Sequence, residues 1–206
     1  MLRAAKQNKT KKIVFASSSS VCGEPRYMPV DEKHPTNPVS IYGASKLIGE
    51  KYCQIFDVST VILRYHTVYG PRQRPEMAIH KWIQGLFKDE PPVIFGDGEQ
   101  TRDFTFIDDI IDGTLKAAET EGIEKEIFNL GSGCNVSVNT VLDLLLKLTR
   151  KEDIKPIYIP PKVGDVPHTH ADISKAKNLL GYNPKVTFEN GLRQFIEWYK
   201  SHSHLG

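Results

Sequence analysis

Apolar residues along the chain follow two periods, and the alternation between them predicts the elements. The run Ile13-Val14-Phe15-Ala16 empties into Ser17-Ser18-Ser19-Ser20 and, after Val21-Cys22, into Gly23. Such a run predicts a buried parallel strand whose carboxyl end opens at the sheet edge, where α/β proteins bind ligands. From 40 to about 56 the apolar positions recur at helical spacing, which predicts a helix. A second β-branched run at 59–66 predicts the next parallel strand, with 67–75 as the loop beyond it. Further on, the pattern predicts a helix at 78–88, short strands at 93–95 and 101–107, and a helix capped by Asp108-Asp109 that runs to about 119. A strand at 126–130, a helix at 137–150, a strand at 154–159 and helices at 174–180 and 188–201 follow, with 160–165 as a loop. Gly181 and Pro184 supply a helix stop after Leu180. Residues 1–8 read as the end of a helix, and the tail from His202 as frayed.

The helix at 40–56 carries the first candidate chemistry. Tyr42 and Lys46 are four residues apart, which puts a phenol and an ammonium on one helix face. A phenol titrates near ~10, and a neighbouring ammonium stabilises the phenolate, so the pair can serve as a base toward a substrate hydroxyl. Tyr-x-x-x-Lys alone also describes a packing tyrosine beside a solvated lysine. Its weight comes from the serine-rich strand end upstream, whose hydroxyls can meet the helix phenol.

Composition narrows the class. With 206 residues, 39% hydrophobic and a formal charge of +2, the chain is expected to form one soluble domain or one and a half. So small a charge leaves no nucleic-acid footprint, and no apolar run is long enough to span a membrane. The basic start lacks an apolar h-region, so a cytoplasmic location is expected. Cys22, Cys53 and Cys134 have no C-x-x-C spacing, which fits a reducing compartment rather than a disulfide framework or a zinc site. His202 and His204 are not expected to bind metal, and no metal is called for elsewhere.

Four blocks in order carry a resemblance. They are Ser17 to Gly23, then Tyr42-Gly43-Ala44-Ser45-Lys46, then Leu63-Arg64-Tyr65-His66-Thr67-Val68-Tyr69-Gly70-Pro71-Arg72-Gln73-Arg74-Pro75, and then Gly96-Asp97-Gly98 through Thr101-Arg102-Asp103-Phe104. The chain resembles the extended short-chain dehydrogenase/reductase family, and within it the nucleotide-sugar 4-epimerases. The resemblance implies an α/β fold: a partial Rossmann-like, doubly wound parallel sheet with a smaller C-terminal α/β substrate-binding part. Residues 1–75 would be the remainder of the NAD-binding domain. Residues 76–206 would mainly bind the nucleotide sugar, with 126–150 returning to the Rossmann sheet. Gly96-Asp97-Gly98 and Gly131-Ser132-Gly133 do not continue as Gly-x-Gly-x-x-Gly and read as turns. By comparison with the family, the first βαβαβ half is absent, so these residues alone are expected neither to hold NAD in the family's way nor to be active.

The resemblance also implies site roles. NAD would accept a hydride from C4 of a UDP-linked hexose, while Tyr42 removes the O4 proton, Lys46 supports Tyr42 and the nicotinamide ribose, and Ser18 holds the same oxygen. Ser17 and Tyr65, with Tyr42 and Lys46, would contact the cofactor. Val93, Ile94 and Phe95 match the base-contacting strand, while Arg102, Lys162 and Asp165 match diphosphate and ribose contacts; a guanidinium suits a diphosphate on its own merits. Ser18 is followed by Ser19-Ser20 instead of an acidic pair, which disfavours a 4,6-dehydratase. Cys22 replaces a usual tyrosine, Lys162 stands where many members have arginine, and Thr67 stands where glucose epimerases have asparagine. Ser19, Ser20, Thr67 and Arg74 resemble the carboxylate-binding loop of UDP-glucuronate 4-epimerases, and Thr169 falls at the sugar-pocket gatekeeper. Glucose, N-acetylglucosamine and glucuronate forms therefore stay open. Two alternatives accompany this reading: a UDP-glucuronate decarboxylase, which begins with the same C4 oxidation, and a non-catalytic sugar-nucleotide-binding fragment with one open sheet edge. The family's habit implies a homodimer through the Tyr42–Lys46 helix.

Overall fold

In the computed structural model, which describes residues 1–161 and 166–202, the chain begins with α1 (Leu2–Gln7), β1 (Ile13–Ser18), a 3-10 turn (Ser19–Val21), α2 (Ile41–Ile55), β2 (Thr60–Tyr65) and β3 (Thr67–Tyr69). It continues through α3 (Ala78–Leu86), β4 (Val93–Phe95), β5 (Thr101–Arg102), β6 (Phe104–Phe106), α4 (Ile107–Glu119) and β7 (Ile127–Leu130). The remaining elements are β8 (Val136–Ser137), α5 (Val138–Thr149), β9 (Ile157–Ile159), α6 (Ser174–Leu180) and α7 (Phe188–His202). Strands β1, β2 and β7 form a parallel sheet in that order. Alternation along β2 sorts its side chains between two layers. Val61 and Leu63 pack with Ile110 and Ala117 of α4 and with Ala176 and Leu180 of α6, whereas Arg64 faces α2. No described helix is long and apolar enough to cross a membrane.

A second core lies beyond the sheet. Ile79, Ile83 and Leu86 of α3 meet Leu142 and Leu145 of α5, Leu192 and Phe195 of α7, and Tyr69 and Phe106 from the parallel pair β3–β6. Each such side chain, fully buried, contributes about 1.5–3 kcal/mol. Smaller pairs complete this part: β4 with β9, parallel, and β5 with β8, antiparallel.

Four local expectations change. Residues 67–69, expected within a loop, form β3, because the Thr67 N–H donates to the Asp103 carbonyl (3.0 Å) and starts a new ladder. The strand expected at 101–107 is two strands broken at Asp103, whose carboxylate turns into the interior. Val136 and Ser137 pair with β5, a contact that local periodicity does not signal. Asp108 and Asp109 lie inside the first turn of α4 and do not cap it. Asp109 instead accepts the Lys185 and Val186 N–H groups at 2.8 and 3.2 Å, tying α4 to the segment ahead of α7.

Two buried polar networks hold the layers together, and a buried imidazole lies between them. Arg64 donates twice to Glu50, at 2.9 and 2.8 Å, and the Ser17 hydroxyl donates to the same carboxylate at 2.5 Å. This network joins β2, α2 and β1. Asp103 accepts from Ser132 N–H (2.7 Å), Ser132 Oγ (2.8 Å), Thr105 Oγ1 (3.2 Å), Gly133 N–H (3.2 Å) and Ala171 N–H (3.0 Å). His66, where β2 ends, is 5% exposed, and both ring nitrogens are sealed from solvent. Burial pushes its imidazole down from the ordinary range; Asp103 and the neighbouring Asn129 side chain pull the other way, and His170 and Arg64 add to the depression.

Two outcomes follow. Glu50→Gln is expected to destabilise the protein by about 3–5 kcal/mol in urea denaturation, because it leaves the Arg64 charge buried without its partner, whereas the double variant Glu50→Leu/Arg64→Met should lose far less. For His66 the folded-state pKa lies below the unfolded value of about 6.5. The unfolded chain therefore binds the proton first, and the stability that His66 contributes is present above that value and is lost as pH falls through it. Urea midpoints should drop between pH 7.5 and 5.5, and His66→Phe should flatten the drop.

Candidate active site

The ends of β1 and β2 lie side by side, with Ser18 registered against Tyr65. The Ser18 hydroxyl accepts the Ser20 N–H at 3.2 Å and lies 3.1 Å from Ser20 Oγ, so it caps the 3-10 turn and keeps the serines at the sheet's carboxyl edge. Helix α2 starts beside them, capped by Ser40 Oγ, which accepts the Gly43 N–H at 3.0 Å. A Cβ at residue 43 would come within 2.5 Å of the Ser20 carbonyl oxygen, and one at residue 49 within 2.3 Å of the Phe15 ring. Glycine at both positions lets α2 lie against the strand end.

Tyr42, Lys46 and Glu50 follow at four-residue steps on one face of α2. Glu50 is sealed beneath with Arg64. Lys46 Nζ donates to the Ala16 carbonyl at 2.8 Å and sits 5.5 Å from the centre of the Tyr42 ring. Tyr42 is 55% exposed at the rim. The structure thus brings Tyr42, Lys46 and the Ser18 strand end together. Tyr42 and Ser18 share a cleft of about 440 Å³ with Tyr65, His66, Thr67 and Arg74.

Not every named residue presents its side chain to this cleft. Ser17 lines it, but its hydroxyl is spent on Glu50. The Tyr65 hydroxyl shares a 2.9 Å hydrogen bond with Thr114 Oγ1, and burial pushes this phenol up from its ordinary value. Arg74 pairs with Glu76 at 3.2 Å, both largely exposed. Cys22 packs with Val21 and Val30, and burial pushes its thiol up, so it acts as an apolar filler.

A larger cleft of about 670 Å³ continues on the other side of Thr67 and is lined by Met77, Trp82, Val93, Phe95 and Arg102. Val93 and Phe95 are 42% and 47% exposed, whereas Ile94 between them is 1% exposed and belongs to the second core, as strand alternation requires. Arg102 Nη1 donates to the Thr101 and Pro167 carbonyls at 2.8 and 3.1 Å, which fixes the guanidinium at the cleft wall. Ser19, Ser20, Thr67, Arg102 and Thr169 also meet around a cavity of about 160 Å³. Thr169 Oγ1 accepts the Asp103 N–H at 3.1 Å. Lys162 and Asp165 lie outside the described residues.

Sequence reasoning missed Glu50, Asp103 and His66. Glu50 could have been found as the third residue on the Tyr42–Lys46 face. Asp103 stands out only as an acid inside a β-branched and aromatic run, and nothing local marks His66. The Ser132 and Gly133 N–H groups are committed to Asp103, so the 131–133 turn closes on protein.

The model of the NAD dependent epimerase/dehydratase family matches residues 1–131. A UDP-glucuronate 4-epimerase of Thermodesulfobacterium geofontis is 39% identical over 211 residues, spanning 100% of this chain and 64% of that protein. The structure superposes with a TM-score of 0.92 on UDP-glucuronic acid 4-epimerase from Bacillus cereus in complex with UDP-glucuronic acid and NAD, 42% identical, covering 97% of this chain and 65% of that one. It superposes equally well, at 0.92 and 34% identity, on a UDP-glucose 4-epimerase from Thermotoga maritima with UDP-glucose, covering 98% and 67%. The chain spans less than two thirds of the length of the relatives first matched, such as the Thermodesulfobacterium protein. With most of its length, residues 1–131, matched by the family model, this chain belongs to the NAD dependent epimerase/dehydratase family.

Proposed function

We propose that the protein in its full-length form is an NAD-dependent epimerase that inverts C4 of a UDP-linked hexose of the glucose/galactose or glucuronate type. The observation that carries this reading is the juxtaposition of Tyr42, Lys46 and Ser18 at one end of a cleft that continues past Thr67 to Arg102 and Phe95. One end has the groups for proton transfer at a hydroxyl. The other has a guanidinium and an exposed aromatic face for a nucleoside diphosphate.

The Tyr42 phenol would take the proton from the sugar O4 and return it, and Ser18 Oγ would hold that oxygen in line. Lys46, anchored to the Ala16 carbonyl, keeps a positive charge beside the phenol through both transfers. Tyr42 and Lys46, side by side at the open rim, fit the nicotinamide-ribose end of NAD and would hold it, with Ser17 and Tyr65 contributing backbone only because their hydroxyls are spent on Glu50 and Thr114. When bound, NAD supplies a hydride acceptor for C4. Ser19, Ser20, Thr67 and Arg74 around the sugar support a glucuronate substrate, with Lys162, Asp165 and Thr169 as further proposed contacts.

The same reading covers the assembly. Ile41, Ile48, Tyr52 and Ile55 leave an apolar stripe on the outer face of α2, exposed by 91%, 57%, 61% and 82%. That stripe supports a homodimer through α2. Residues 1–75 with β7 would form the cofactor-side part, and most of 76–206 the sugar-nucleotide part. Three unpaired cysteines are consistent with a cytoplasmic setting.

Incubation of the full-length form with NAD and UDP-glucuronate, followed by NMR, should show UDP-galacturonate, and Tyr42→Phe should lower the rate by roughly 10²–10⁴-fold. Release of carbon dioxide would assign the decarboxylase instead, and no product despite UDP binding would leave a binding protein. By calorimetry, Arg102→Ala should weaken UDP binding by roughly tenfold or more, the cost of a hydrogen bond to a charged group. Arg74→Ala should weaken UDP-glucuronate and leave UDP-glucose unchanged; equal effects on both would remove the glucuronate assignment.

A further inference from the structure

The turn between β4 and β5 is pinned from outside by Asn139. Its N–H donates to the Gly98 carbonyl at 3.0 Å, and its side-chain amide donates to the Asp97 carbonyl at 3.1 Å and to Glu99 Oε1 at 2.7 Å. Asn139 also fills the space beside Gly98, where a Cβ would come within 1.9 Å of its Oδ1. Gln100 leaves this turn with its own carbonyl accepting the Val138 N–H at 3.1 Å. The Gln100 backbone is therefore held, and its side chain lines the same cleft as Phe95 and Arg102.

Strand β4 pairs along one edge. The Ile157 N–H donates to the Pro92 carbonyl at 2.9 Å and the Gly96 N–H to the Ile159 carbonyl at 2.8 Å. Backbone groups alternate along a parallel strand, so the N–H and carbonyl groups of Val93 and Phe95 point away from β9. Both of these outward carbonyls are spent: Trp82 Nε1 donates to that of Val93 at 3.0 Å, and Gln100 Nε2 to that of Phe95 at 2.7 Å. The second bond also sets the Gln100 amide, because only its nitrogen can donate to a carbonyl. Its Oε1 is left beside Gly96, 3.9 Å from where a Cβ there would stand. This oxygen accepts no hydrogen bond among the described residues, and it is not one of the sealed atoms, so a ligand in the cleft can reach it.

We infer that Gln100 selects the nucleobase: its Oε1 accepts the ring N–H of a pyrimidine that carries a carbonyl beside that N–H, as uracil and thymine do at N3, and disfavours cytosine. The inference rests on the proposed function and names the group that reads the base at that site. With both outward carbonyls capped, β4 itself offers a base only N–H donors, and Gln100 returns one acceptor next to them. A donor and an acceptor side by side match a carbonyl followed by an N–H. Cytosine carries a lone pair at N3, so its ring nitrogen would face the amide oxygen acceptor to acceptor, leaving both unpaired. The exposed Phe95 ring supplies a stacking face, which every base can use, so base identity falls to Gln100.

The test is calorimetry on the full-length form with three probes: UDP, CDP and 3-methyl-UDP, which keeps the uracil carbonyls but lacks the N–H. UDP should bind tighter than either of the others by roughly tenfold or more. Gln100→Leu, which keeps the side chain's bulk but removes its acceptor, should weaken UDP by roughly tenfold and leave CDP unchanged, so that the preference disappears. Equal weakening of UDP and CDP by Gln100→Leu would show that the residue only braces the turn and would overturn the inference. Equal binding of all three probes by the unaltered protein would overturn it too, and that comparison holds even where the variant fails to fold. In both of those cases UDP still binds, and the proposed function stands. If the unaltered protein binds neither UDP nor CDP, both fall.

Discussion

Arg64 and Glu50 meet with their side chains 3% and 2% exposed. Two charges taken out of water are costly unless each finds the other in good geometry, so this contact restricts how α2 can lie on the sheet. The guanidinium offers a rigid two-pronged fork, and a helix turned or slid by one residue would break both prongs. Ser17 adds a third strand of the same network from β1. Because Glu50 lies four residues beyond Lys46 and eight beyond Tyr42, seating Glu50 also seats the phenol and the ammonium over the strand end. The placement of the phenol and the ammonium at the rim thus depends on an ion pair sealed beneath it.

Asp103 does comparable work on the Arg102 side of the cleft. Its carboxylate gathers the 131–133 turn and Ala171, while its backbone holds Thr67 and Thr169. Arg102 precedes it, so turning Asp103 inward leaves the guanidinium at the cleft wall. Thr67 sits where the two parts join and lines all three adjoining cavities. One buried acid therefore makes the two halves of the site continuous.

Both anchors are acids in the interior, satisfied by several donors: Asp103 follows Arg102 at the cleft wall, and Glu50 lies one helical turn beyond Lys46. Packing supplies the remainder. Gly43 and Gly49 remove the side chains that would hold α2 away from Ser20 and Phe15. The α2 face turned away from the sheet keeps Ile41, Ile48, Tyr52 and Ile55 in the open, which is costly for a solitary chain and natural for a face that meets another surface.

What the sequence by itself determined was whatever depends on neighbours a few residues apart. Helical spacing set Tyr42 and Lys46 on one face, the apolar run made β1 and emptied it into serines, Ser40 capped α2, and Gly181 stopped α6. Local spacing does not say which polar group finds which partner. The Ser17 hydroxyl is consumed by a residue 33 positions away, and Arg102 is braced by Pro167, 65 positions away. Ile94 turns to the core while Val93 and Phe95 face the cleft, β3 forms where a loop was expected, and Asp109 reaches across to 185–186 instead of capping. His66 is the extreme case, since a sealed imidazole takes its titration from everything that folds around it. Periodicity is a property of the backbone's own repeat, whereas hydrogen-bond saturation in the interior is decided only when distant segments compete for the same few donors and acceptors.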